Sequence, residues 1–142
     1  MNNDTLHNLV DYGVLGLLLL LSVIALAVAI ERLLVYRATR VEDFPKRKEL
    51  ELHLSGKLHL IATIGANAPY IGLLGTVLGI MLTFYDIGSI GFDTAKIMQG
   101  LALALKATAA GLLVAIPSVA GYNLLLRKSR VILLQWDIAH ER

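Results

Sequence analysis

Residues 61–85 read IATIGANAPYIGLLGTVLGIMLTFY, twenty-five positions without a charged side chain. A helix needs roughly 20 residues, at about 1.5 Å each, to cross a bilayer, so this run is long enough alone. Its apolar residues do not alternate, which argues against a barrel strand. Two more such runs flank it. Residues 12–30 are uncharged, and residues 97–126 are interrupted only by Lys106, leaving 107–126 as a sufficient span. The prediction is an all-α membrane protein with three transmembrane helices. It forms a single domain over 1–142: helix one about 12–35, a cytoplasmic segment about 36–60, helix two about 61–87, helix three about 97–127 and a tail at 128–142.

Composition agrees. The 142 residues are 56% hydrophobic and 17% charged, against about 45–50% and about 25% in soluble domains, and mean hydropathy is +0.68. So few charges cannot cover a water-soluble fold of this size. A net charge of +2 gives no reason to expect nucleic acid, and the absence of cysteine excludes disulfides and thiolate metal sites. The first run is expected to be a retained anchor, because residues 1–12 lack the positive n-region of a signal peptide.

Basic residues set the orientation. Arg32, Arg37, Arg40, Lys46, Arg47, Lys48 and Lys57 lie between helices one and two, and Arg127, Lys128, Arg130 and Arg142 follow helix three. The opposite side carries only Lys96. The positive-inside bias predicts a periplasmic N-terminus and a cytoplasmic C-terminus. In the cytoplasmic segment, Asp43 is positioned to cap a helix with Pro45 in its first turn. Leu50, Leu54 and Leu58 form an apolar stripe at helical spacing. Residues 49–54 also alternate, so a strand is the other reading there. The third helix is expected to continue through Leu134 and Ile138, and residues 89–96 to form a short outer turn.

The spans are rich in small residues. Ala68, Gly72 and Thr76 form one row in helix two, with Gly75 and Gly79 as a second pair; Gly100, Ala104 and Thr108 form a row in helix three, beside Ala107, Gly111 and Ala115. Such rows let helix backbones approach closely. Read as faces packed on several sides, they predict a ring-like homo-oligomer. The bulky Leu-rich helix one would lie outermost. Pro117 removes a helical hydrogen bond and is expected to bend helix three.

Thr76 and Thr108 fall at similar depth on these helices and are candidates for one polar ring, although a lone membrane threonine usually bonds its own backbone. Lys106 lies about 200° around the helix from Thr108, at about 100° per residue, and is read as snorkelling outward with Asp86 or Asp93 as counter-ion. Its other reading is a charge facing a partner carboxylate. Neither HExxH, GxSxG nor a P-loop occurs. His53 and His59 do not share a helical face, so no metal site, cofactor or enzyme activity is expected.

Two motifs carry a resemblance. APYIGLLGTVLGIM at 68–81, and ALKATAAGL at 104–112 followed by Ala115-Ile116-Pro117 and Tyr122-Asn123, closely resemble the ExbB-type signature of the MotA/TolQ/ExbB proton-channel family. The resemblance covers about residues 64–126. It implies a homopentamer in the bacterial inner membrane with helices two and three around a central pore. An ExbD-like single-span partner would occupy that pore and a TonB-like protein would associate from outside. Thr76 and Thr108 match the family's pore-facing threonines, which would face the partner's membrane aspartate. Proton flow would then drive uptake across the outer membrane. Leu103 stands where the family usually carries Glu, so the titrating group is expected from the partner. The cytoplasmic segment is far shorter than in typical members. A TolQ-like role in envelope maintenance, a passive anchor and an autonomous ion channel are the alternatives.

Overall fold

In the computed structural model, which describes residues 2–141, the chain is helical and contains no strand among those residues. Arg142, counted above with the basic tail, lies outside them. Helix α1 spans Asn3–Ala38, a 3-10 turn follows at Val41–Asp43, and α2 spans Arg47–Ser55. Helices α3 (Leu58–Ile90) and α4 (Thr94–Ala139) complete the chain. Three of the four, α1, α3 and α4, are long and apolar enough to cross a membrane. These are the three spans read from the sequence.

Each span outruns its hydrophobic run. Helix α1 starts nine residues before Tyr12, because its first turns have partners on the other spans: His7 with Asp86 and Asp11 with Lys106. Along α1, Leu18, Ala25, Val28, Arg32 and Tyr36 are buried at helical spacing, while Leu17, Leu19, Leu20, Val23 and Leu26 are exposed. One stripe therefore packs on α3 and α4, and the rest presents hydrocarbon outward. Residues 91–93 suffice to join α3 to α4. Gly91 takes φ 101°, where a side chain would be strained, and the Asp93 carboxylate accepts a hydrogen bond from the Ala95 amide at 3.1 Å as N-cap.

Asp43 does not cap α2. Pro45 disfavours helical backbone at the residue before it, and Phe44 is extended (φ −113°, ψ 110°), so the helix begins only after Lys46. The freed Phe44 carbonyl accepts from Trp136 Nε1 at 2.8 Å. The leucine stripe is helical but divided between two helices. Leu50 and Leu54 lie on α2 and are fully buried. Leu58, past a break at Gly56 and Lys57, opens α3 and is nearly buried in the same cluster with Tyr36, Ile61, Leu125 and Leu133. Burying each leucine side chain is worth about 2 kcal/mol, which docks α2 against α1 and α4. Gly56 ends α2, and Lys57 enters the left-handed region at φ 63° before α3 begins.

Two last carbonyls of α2 are satisfied by α1. Arg32 Nη1 donates to the His53 carbonyl at 2.9 Å and Tyr36 Oη to the Leu54 carbonyl at 2.6 Å. A cation at a helix C-terminus also complements its dipole. Arg32 Nη2 and Lys57 Nζ both reach Glu31, at 3.0 and 2.9 Å.

Candidate functional site

The closest helix contact is α3 against α4. A Cβ placed on Gly72 would lie 2.5 Å from the Ala107 carbonyl oxygen and 3.0 Å from Gly111 Cα; one placed on Gly75 or Gly79 would lie 2.8 Å from the Cβ of Ala107 or Ala104. Ala115 is buried with Ala68 and Leu18 one layer nearer the basic end. Gly72, Gly75 and Gly79 thus form one continuous stripe against Ala104, Ala107 and Gly111. Both rows seen in each helix belong to this stripe, because steps of three and four return to the same face. Small-residue packing is therefore satisfied within one chain, and any ring must use other faces.

That close approach places two hydroxyls in direct contact. Thr76 Oγ1 and Thr108 Oγ1 share a very short hydrogen bond, and Thr76 Oγ1 also donates to the Ala104 carbonyl at 2.8 Å, with the Gly72 carbonyl at 3.4 Å. A hydroxyl has one proton, so Thr76 donates either to a carbonyl or to Thr108. The direction of the pair reverses by rotating two hydroxyls. Thr76 is buried and Thr108 only half-buried, so Thr108 is the member with an open side. Thr83, two turns along the same stripe, bonds its own Gly79 carbonyl at 2.9 Å and packs on Gly100.

Lys106 has a different partner from those expected. Its Nζ lies 3.2 Å from Asp11 Oδ2, whereas Asp86 is engaged by His7 at 2.6 Å. The reason is the early start of α1, which carries Asp11 and His7 into the bundle. Asp86 Oδ1 is buried without a hydrogen-bond partner. Between these pairs and the small-residue stripe lies a cavity of about 60 Å³, lined by His7, Asp11, Gly75, Gly79, Leu103 and Ala104 among others. It has room for a few waters. Leu103 borders it together with Asp11, a carboxylate supplied by α1. Sequence reasoning passed over Asp11 and His7 because they precede the apolar run.

Pro117 lies inside α4 and exposed; without its N–H the Leu113 carbonyl loses a helical bond, and Ser118 Oγ donates to the Val114 carbonyl at 2.7 Å. No group of three or more His, Cys, Asp or Glu suited to a metal ion occurs among the described residues.

Three long apolar helices closed on a hydroxyl-bearing seam, with ion pairs at both ends, make up a helical bundle built to span a membrane. Residues 46–138 match the MotA/TolQ/ExbB proton channel family. The chain belongs to that family. It is 60% identical over 136 residues to a putative biopolymer transport protein ExbB-like 2 of Helicobacter pylori, covering 95% of this chain and 91% of the relative. It is 56% identical over 138 residues to the biopolymer transport protein ExbB of Aquifex aeolicus, covering 96% and 93%. These relatives share its short form. A Tol-Pal system protein TolQ of Pseudomonas aeruginosa is 40% identical over 100 residues, covering 70% of this chain but 42% of that protein.

Proposed function

We propose that this chain is the proton-channel subunit of a TonB-type motor in the bacterial inner membrane. It has no enzymatic role and uses the proton motive force to energise uptake across the outer membrane. Copies form a ring, taken as a pentamer, with the N-terminus periplasmic and the C-terminus cytoplasmic. The single-span ExbD-like partner occupies the central pore, and a TonB-like protein engages from outside. The observation that carries this reading is the hydrogen-bonded Thr76–Thr108 pair, buried on one side and open on the other. From its open side Thr108 offers a hydroxyl to a carboxyl on the partner span. Thr76 holds that hydroxyl's orientation through the Ala104 carbonyl. A hydroxyl that can donate or accept suits a group that alternately holds and loses a proton.

The names and high identities of the ExbB relatives favour this system. The TolQ relative keeps a Tol-type role as the second reading. Co-purification of the chain with its single-span partner, followed by proton flux in liposomes, tests both levels. Flux that depends on the partner and drops in Thr108→Val is expected. Partner-dependent flux unchanged in Thr76→Val/Thr108→Val overturns the pore role, and a Tol-type partner overturns the system.

A further inference from the structure

Outside the threonine seam, a groove of about 590 Å³ lies between α1 and α4 at the basic end of the bundle. Its walls are apolar: Ala29 and Leu33 from α1, and Leu125, Val131 and Ile132 from α4. Its rim is cationic, with Arg37, Arg127 and Lys128. All three are exposed, and none has a side-chain hydrogen bond or ion pair among the described residues, although Arg32, Arg47, Lys57 and Lys106 all do.

The groove does not stop at the charged rim. Ala29 and Gly121 also line a second, adjoining hollow of about 290 Å³, bordered by Ser22, Ala25 and Leu26 on one side and by Leu113 and Pro117 on the other. From Lys128 to Leu113 is fifteen residues of helix, about 22 Å. That exceeds the roughly 15 Å depth of one leaflet's hydrocarbon. Gly121 is the floor of the joined trough, and nothing lies within 4 Å of a Cβ built there.

We infer that the trough is a binding site for one anionic phospholipid, its phosphate held by Arg37, Arg127 and Lys128 and an acyl chain laid along Gly121 toward Leu113. Three unpaired cations at the mouth of an apolar slot complement a phosphate carrying two hydrocarbon tails, and basic pockets between spans favour anionic headgroups. The lipid belongs to the leaflet at the basic end, the inner one in the orientation proposed above. The site itself does not depend on that orientation or on proton conduction.

Native mass spectrometry of the full chain tests this. The protein is purified after exchange into nanodiscs of phosphatidylglycerol mixed equally with phosphatidylcholine. Wild type is expected to retain phosphatidylglycerol preferentially, about one per chain. Gly121→Leu fills the floor without meeting any atom of the chain around its Cβ, and should cut retention of either lipid several-fold. Arg127→Gln/Lys128→Gln should leave occupancy but reduce the anionic preference by roughly tenfold or more. Arg130→Gln, exposed and outside the trough, should change neither. Equal retention of both lipids by wild type, or retention unaltered in Gly121→Leu, overturns the site. So does a crosslink from Leu124→Cys to α1 of another copy in place of bound lipid. Size-exclusion profiles matching wild type confirm that the variants are folded, and the surface Arg127→Gln/Lys128→Gln pair keeps the test decisive if Gly121→Leu does not fold.

Discussion

Gly72 and Gly111 face each other backbone to backbone: a Cβ on either would come within about 2.6 Å of a carbonyl oxygen of the opposite helix. Neither helix can relieve such a clash by turning a side chain. Gly111→Ala and Gly72→Ala should each destabilise the bundle by about 1–3 kcal/mol, through forced separation of α3 and α4. Gly121→Ala, which meets open space, should fall within about 0.5 kcal/mol of wild type. Unfolding of the reconstituted protein in mixed detergent reads the difference, and equal losses at all three positions would contradict the packing.

The threonine pair makes a second prediction with two separable readouts. Thr108→Ser keeps the hydroxyl and should retain most of the partner-dependent proton flux. Thr108→Val should lower it at least about tenfold with a stability change of only about 0.6 kcal/mol, the usual scale for a hydrogen bond between membrane helices. Thr76→Val should cost somewhat more stability, because that hydroxyl is buried and bonded to the Ala104 carbonyl. Flux assays on vesicles and denaturation of the same preparations separate conduction from packing.

Asp11 and Lys106 couple α1 to α4 at 3.2 Å, with side chains about a quarter and half exposed. Removing one charge strands the other, so Lys106→Met and Asp11→Asn should each cost about 1 kcal/mol, less than a fully buried pair because water reaches Lys106. The double variant should recover at least half of the summed loss. Additive losses would show that the two charges do not interact in the folded protein.

Arg32 secures the far end of α2. Replacing it by Met removes the donor to the His53 carbonyl and the partner of Glu31, and should cost about 1.5–3 kcal/mol, the range for hydrogen bonds to charged groups. Amide exchange should rise first across residues 47–55. Arg32→Lys, lacking the fork that reaches both acceptors, should recover only part of the protection.

Much of this architecture is legible in the residues. Uncharged runs give the spans, and the four-residue spacing of Leu50 and Leu54 points to α2 and its buried face, with Leu58 falling past a break on α3. What periodicity cannot give is which helix a face meets. The Gly and Ala rows announce close packing, but only the folded chain reveals that one stripe accounts for them all. Asp11 and His7 look like a polar leader until their partners on α4 and α3 are seen. Asp43 carries a good cap side chain, yet the Pro45 ring rules on the backbone before a cap can form. Thr76 and Thr108 could be matched by depth, and their contact depends on the glycines one to four residues away from them, Gly72, Gly75, Gly79 and Gly111.

Helix α4 runs unbroken from the outermost link to the docking partners of α2, so the threonine seam and Trp136 ride on one rod. They are twenty-eight residues apart, about 42 Å along the axis. Leverage follows from that length: a lean of about 5° pivoting at Thr108 sweeps the indole sideways by about 4 Å, more than the reach of its bond to Phe44. Any tipping of the rod about the seam would therefore be felt as a tug on the Phe44 carbonyl, just ahead of α2.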